Sequence, residues 1–151
     1  MAKTMKKKVI TKGFQYDELM ICGETVSNLV CDSKCYGYKF HVRYPSYRGT
    51  FLSCIEELKA TVDGKEIKET DLRFELNGKE FLISELQELH REYWYIMDIA
   101  TLKVLNNKGL SAGLHNIGLT LRHRIPYTGY FGKCLVLDSA FEKTLRLRER
   151  S

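Results

Sequence analysis

Residues 47 to 86 read YRGTFLSCIEELKATVDGKEIKETDLRFELNGKEFLISEL, and this stretch decides the fold. It contains two β-hairpins. Asp63-Gly64 follows the run Leu58 to Val62, and Asn77-Gly78 separates Leu72 to Leu76 from Lys79 to Ile83. Asp-Gly and Asn-Gly are the usual two-residue loops because a type I′ turn needs φ > 0 at both positions, which only Gly, Asn and Asp reach cheaply. With Asn77-Gly78 as the loop, Leu76 lies opposite Lys79, Phe74 opposite Phe81 and Leu72 opposite Ile83. This is an apolar ladder on one face, with Arg73, Glu75 and Glu80 turned away from it.

Upstream, Tyr36 to Tyr44 alternates strictly. Tyr36, Tyr38, Phe40, Val42 and Tyr44 share one face, Gly37, Lys39, His41 and Arg43 the other, and Pro45 ends the strand. Val9 to Tyr16 reads as a first strand, and Asp17 to Cys35 as irregular, with Gly23, Asn28, Asp32 and Ser33 supplying turn chemistry. Downstream, Ser84 to His90 has an N-cap at Ser84 and reads as one or two turns of helix.

Tyr93 to Leu105 reads as a strand apolar on both faces and therefore covered on both sides, by its own core and by another layer or another protein. His115 to Arg124 alternates again. Residues 125 to 133, IPYTGYFGK, form a tyrosine- and glycine-rich loop, and Cys134 to Leu137 a last short strand before a tail. Short strands at roughly 8–12-residue spacing with so little helix predict an all-β fold, an antiparallel β-sandwich with at most one short helix. The 151 residues are expected to form one domain, with flexible ends at residues 1–8 and 144–151.

Hydrophobic residues make up 44% and charged residues 28%, the balance of a globular protein, and no apolar run approaches the ~18 residues of a membrane span. Lys3, Lys6, Lys7 and Lys8 are followed by Val-Ile-Thr-Lys-Gly rather than an apolar core, which is not a secretory signal, so a cytoplasmic location is expected. There Cys22, Cys31, Cys35, Cys54 and Cys134, an odd number, read as free thiols. The net charge of +5 permits an acidic partner without demanding one.

Residues of the types that carry chemistry do not assemble into a site. Cys31-x3-Cys35-x5-His41, with Cys22 as a fourth candidate, has zinc-type ligands but no tight Cys-x2-Cys knuckle, and free thiols are the favoured reading. His115 and His123 lie eight residues apart on one strand, more than ~25 Å at about 3.3 Å per residue, and read as strand-end histidines satisfied by neighbours. Asp98 falls in register with Trp94, Ile96, Ala100 and Leu102, so its carboxylate needs a partner or water. Glu56-Glu57 and Asp17-Glu18 are sequence neighbours on opposite faces and form no acid/base dyad. No catalytic, cofactor-binding or metal residue is assigned. What stands out is an excess of aromatics: Tyr44, Tyr47 and Arg48, then Tyr93, Trp94 and Tyr95, then Tyr127, Tyr130 and Phe131. Tyr, Trp and Arg are enriched at interface hot spots, so these nine are the candidate partner interface or pocket wall, weighed evenly against plain core.

The ordered segments YRG-x3-S-x-IEEL, VDG, LRFELNGKEF, EL, EYW, GLSAGLHNIGLTL and RIPY resemble the small β subunit of bacterial C-glycoside deglycosidases, from about Lys34 to the tail. The resemblance implies a heteromeric lyase. A larger α subunit, a TIM barrel like sugar-phosphate isomerases and epimerases, would hold a divalent metal such as manganese and the catalytic base. The substrate, a 3-oxo-C-glucoside of a flavonoid, would be bound mainly by that partner. The β subunit would be a β-sandwich packed on it, with no cofactor of its own. Two other classes stay open, a carbohydrate-binding module with exposed aromatics and a basic single-strand nucleic-acid binder. Acidic residues alternate with Lys and Arg along the strands, which fits a solvated face better than a nucleic-acid groove, and neither nucleic acid nor membrane is an expected partner.

Overall fold

A computed structural model describes residues 8–12, 15–125 and 134–148. The first strands are β1 (Lys8–Lys12), β2 (Ile21–Cys31), β3 (Lys34–Val42), β4 (Thr50–Phe51), β5 (Ile55–Val62) and β6 (Lys65–Glu66). They are followed by β7 (Leu72–Leu76), β8 (Lys79–Leu82), β9 (Tyr93–Trp94), β10 (Ala100–Leu105), β11 (Leu114–Ile125) and β12 (Cys134–Leu147). One sheet in the order β6-β5-β11-β12-β2-β3-β10-β7-β8 curls on itself, β1 pairs with β12, and β4 and β9 form a small sheet of their own. The two halves of the curl face each other across one core. Leu58, Ala60, Ile117, Leu119, Leu121 and Leu145 come from one half; Tyr38, Phe40, Val42, Leu72, Phe74 and Leu102 come from the other. Each large apolar side chain removed from water contributes roughly 1.5–3 kcal/mol against the cost of ordering the strands.

Both expected hairpins form with the expected backbone. Asp63 and Gly64 have φ of 52° and 83°, Asn77 and Gly78 54° and 82°. Leu76 pairs with Lys79 and Phe74 with Phe81. The ladder stops one pair early because β8 ends at Leu82 and Ile83 opens a 3-10 helix, Ile83–Glu88, where the short helix was expected. Glu85 receives the Leu82 N–H at 2.7 Å and caps it. The other helical pieces are 3-10 turns at Gln15–Leu19, Leu52–Cys54 and Glu69–Asp71. Among the described residues, no helix is long and apolar enough to cross a membrane.

Four expectations are corrected. Residues 17 to 35 are not irregular: most of them are β2, joined to β3 by an Asp32-Ser33 turn with φ of 51° and 67°. The β2 alternation is unreadable because its register slips. Cys22 lies opposite His41 but Ser27 opposite Lys39, so four residues, 23 to 26, face the single residue Phe40. Such a bulge re-aims a strand, and here Thr25 and Val26 turn to pair in parallel with Arg146 and Leu147 of β12. That junction joins the two halves, and with the parallel β1–β12 pair it makes the sandwich not wholly antiparallel.

Thr144 to Leu147 are therefore not a tail but the end of β12, with Leu145 fully buried. Tyr93 to Leu105 is not one strand. Residues 95 to 99 fold into a turn in which Asp98 N–H donates to the Tyr95 carbonyl at 3.0 Å and the Trp94 indole donates to the Asp98 carbonyl at 2.9 Å. The turn takes Asp98 out of the register read for it and leaves its side chain half-buried.

Gly37 sits where β3 meets both β2 and β10, opposite Leu29 and Leu105. A Cβ there would run into the Val104 carbonyl oxygen, a backbone atom that cannot step aside. We predict that Gly37→Ala lowers the unfolding free energy by about 3 kcal/mol. Gly64→Ala, at a positive φ but with nothing within 4 Å of its Cβ, should lose only about 1 kcal/mol. Urea midpoints of the two variants at unchanged m-value check the difference; equal losses would refute it.

Candidate functional site

The segments 44–51 and 93–99 meet at one end of the curl and assemble most of the aromatics singled out from the sequence. Thr50 pairs with Trp94 and Phe51 with Tyr93. Gly49 allows the approach, since a Cβ there would strike the Trp94 carbonyl, the Tyr93 ring at 2.8 Å and the Tyr95 Cα at 3.0 Å. The aromatics sort into two layers. Beneath, Phe74, Trp94, Tyr44 and His123 stack in sequence at centroid distances of 5.1, 5.5 and 5.0 Å. Above, Phe51, Tyr93 and Tyr95 make edge contacts at 4.9 and 4.5 Å, while Tyr47 lies 6.4 Å from Tyr16 and beneath the Arg48 guanidinium.

The structure thus divides the nine candidate residues. Tyr44 and Trp94 are each 2% exposed and belong to the core under the patch, because their rings fill the end of the sandwich. Tyr47, Arg48 and Tyr95 are exposed and Tyr93 half-buried. Tyr127, Tyr130 and Phe131 lie outside the described residues. Phe51, which sequence reasoning missed, and Met97 and Ile99, which it placed in the apolar run but not among the nine candidates, stand out beside Tyr95 at 42%, 71% and 49% exposure. The available signal was Asp98: a carboxylate inside an apolar run is better read as a turn than as a two-sided strand.

His123 is completely buried in a polar chain. Its Nδ1 is 2.7 Å from the Tyr44 hydroxyl and its Nε2 3.0 Å from Ser139 Oγ. Asp17, in the 3-10 turn before β2, accepts from the Ser139 hydroxyl and the Ala140 N–H, while burial pushes its own carboxyl up. With Asp17 ionised, Ser139 donates to it, and its oxygen must accept from His123 Nε2–H. Nδ1 then accepts from Tyr44. This order fixes the Nε2–H tautomer. Desolvation holds the imidazole neutral, its pKa pushed down to about 4. Ser139 and His123 are a hydroxyl and a base within bonding distance, yet both are 0% exposed, so no substrate reaches them.

His115 has the opposite character. Its Nδ1 meets Asp63 Oδ2 and its Nε2 the Ser111 carbonyl, both at 2.7 Å. A carboxylate and a carbonyl only accept, so both ring nitrogens donate and the imidazolium is the bound form. The Asp63 hydrogen bond accordingly raises the His115 pKa, and the same bond lowers that of Asp63.

The cysteine and histidine spacing does not converge. Cys31 is exposed, the Cys35 thiol points to the Gly37 carbonyl, and His41 Nδ1 contacts the Thr101 hydroxyl. Among the described residues no three His, Cys, Asp or Glu side chains are grouped to hold a metal ion. Glu56 instead lies 3.3 Å from Arg124 Nε and Glu57 4.0 Å from Lys59.

The fold is thus a curled β-sandwich with an aromatic face at one end and two histidines committed to partners within the chain. Residues 16–127 match the C-glycoside deglycosidase beta subunit family. The chain is 37% identical over 122 residues to the 3'-dehydrocarminate deglycosidase beta subunit of Microbacterium sp, covering 81% of this chain and 90% of that one. It is 35% identical over 81 residues to a C-glycoside deglycosidase beta subunit of Eubacterium cellulosolvens, or 54% and 55% of the two chains. A C-glycoside deglycosidase beta subunit of Microbacterium trichothecenolyticum is 38% identical over 89 residues, 57% and 65% of the two. The chain belongs to the C-glycoside deglycosidase beta subunit family.

The His123 environment makes stability fall with acid. An unfolded histidine takes up its proton near 6.5, whereas in the fold it does so only at about 4. Between these values the unfolded chain binds the extra proton, so stability is full above about 6.5 and declines towards pH 4 by about 3 kcal/mol. His115 works in the other direction, its contribution being lost as pH rises through its raised pKa. In a comparison of the parent with His123→Gln the His115 effect cancels. The stability gap between the two should narrow by about 3 kcal/mol from pH 7 to pH 4 in denaturant titrations. A gap that stays constant would mean His123 is not held neutral.

Proposed function

We propose that this chain is the β subunit of a carbon–carbon lyase that releases the aglycone from 3-oxo-C-glucosides of flavonoids, with the catalytic apparatus on an α subunit. The observation that carries this reading is the family match over residues 16–127. The name of the Microbacterium sp relative, a 3'-dehydrocarminate deglycosidase beta subunit, supports a substrate oxidised at the sugar.

The chemistry follows from the ketone. A carbonyl at C3 acidifies the C2 proton, and a base on the α subunit removes it to leave an enolate. The enolate electron pair then forms the C1–C2 double bond as the bond from C1 to the aryl carbon breaks. The aryl carbon takes up a proton, helped by a neighbouring phenol, and the sugar leaves as an unsaturated 1,5-anhydro-3-ulose. A divalent metal on the α subunit, manganese or similar, would supply stabilisation of the enolate charge. The described part of this chain has no grouping to hold such an ion. Its task is to stabilise the α subunit, a barrel of the isomerase and epimerase kind in this proposal, and to close one wall of the aglycone pocket. The assembly works in the cytoplasm.

Expression of the chain alone and together with the product of the neighbouring reading frame tests this. With manganese and a 3-oxo-C-glucoside, aglycone should be released only by the co-purified pair, and the unoxidised C-glucoside should remain intact. Release by the chain alone would overturn the division of labour. Retention on polysaccharide with no protein partner would instead establish the carbohydrate-binding reading.

A further inference from the structure

We propose that the α subunit docks on the face formed by Phe51, Tyr93, Tyr95, Met97 and Ile99, with Tyr47 and Arg48 at its margin. The proposal rests on the reading of this chain as a β subunit and names the surface that reading requires.

Five of the ten large apolar side chains exposed among the described residues, Tyr47, Phe51, Tyr95, Met97 and Ile99, lie on the two adjoining segments 44–51 and 93–99. The other five, Leu19, Val30, Tyr36, Leu82 and Leu114, belong to other segments. Isolated exposed apolar residues are ordinary, whereas contiguous ones mark an interaction site. Phe51, Tyr93 and Tyr95 are contiguous through their ring contacts, and Met97 and Ile99 follow Tyr95 in the same turn.

The face is also held in one shape. Its turn is closed by the Trp94 indole on the Asp98 carbonyl, its two segments are paired as β4 and β9, and the Leu52 N–H extends that pairing to the Glu92 carbonyl at 2.8 Å. A surface ordered before association loses little entropy when a partner covers it.

The charges around it favour a different chain over a second copy. Arg48 is exposed on the first segment and Arg91 just before the second, Glu92 is paired with Lys79 at 2.9 Å, and Asp98 is half-buried. An apolar centre with a cationic margin suits an apolar partner surface edged by carboxylates. A second copy would bring its own arginines to the same margin.

Co-purification of the pair is the test. Tyr95→Glu with Met97→Glu should weaken association with the α subunit by about 100-fold or more and abolish activity of the pair at low concentration. The same variant should keep the parent's urea midpoint, because both side chains are exposed. Met97→Leu should bind normally, as should Leu114→Glu with Tyr36→Glu, placed at the opposite ends of β11 and β3. Undiminished association of the Tyr95→Glu, Met97→Glu variant would overturn this surface while leaving the β-subunit reading intact. Failure of the parent chain to bind the neighbouring reading frame's product would overturn that reading itself. Sedimentation of the parent chain alone decides the occupant: a dimer that the double variant dissolves would mean that the face binds a second copy, and a monomer supports the α subunit.

Discussion

The rest of the fold depends on the slip of register in β2. Without it β2 would continue beside β3 as an ordinary hairpin arm and the sheet would stay open. Because residues 23 to 26 are taken up opposite Phe40 alone, the strand leaves β3 long enough to meet the end of β12. Val26 and Leu147 enter the core there, at 0% and 9% exposure, and the Arg148 N–H donates to the Val26 carbonyl at 2.7 Å. Two paired residues thus join two half-sheets, and the apolar faces of both become the two sides of one core. A bulge is inexpensive in such a place because the ladder bonds it gives up on one side are replaced on the other.

Closure at that seam also decides where polar groups can be buried. The 3-10 turn before β2 comes down on β12, so Asp17 reaches Ser139 and Ala140. From Ser139 the hydrogen bonds run through His123 to Tyr44, under the aromatic end. Burying a hydroxyl, an imidazole and a phenol is tolerable because each finds a partner of the right polarity, and a chain of this kind admits one arrangement of donors. It fixes the Tyr44 ring, against which Trp94 packs at 5.5 Å. From Asp17 to Trp94 the buried polar chain and the aromatic layer beneath the exposed face are linked by contact.

Much of this was legible in the sequence, for local reasons. Asp-Gly and Asn-Gly turns carry their own backbone geometry, so the Phe74–Phe81 pairing follows from two residues. Tyr38, Phe40, Val42 and Tyr44 form a buried face because period-two alternation survives wherever one side of a strand is wet. What was illegible is what depends on partners distant in sequence. β2 has no alternation to read, since its bulge belongs to the meeting with β12 more than a hundred residues later. Asp32 and Ser33 were legible as turn residues, but not as the two-residue hairpin that joins β2 to β3. The family resemblance was carried by segments such as LRFELNGKEF and GLSAGLHNIGLTL, and it fixed the class of protein where no cluster of side chains did.

Tyr93 to Ile99 shows why an apolar run can be misread and still point to an interface. A run apolar on both faces must be covered on both, and that argument holds whether or not the run is a strand. The buried Trp94 indole carries an N–H that needs an acceptor, and the Asp98 carbonyl meets it only if the chain turns at once. The turn that satisfies the indole is the same turn that lifts Tyr95, Met97 and Ile99 out of the core. Their exposure is therefore a consequence of how the core beneath is satisfied rather than of loose packing. In a chain that worked alone such a face would be an aggregation hazard. In a subunit it is the kind of face that a partner covers, which is the ground for the docking surface proposed above.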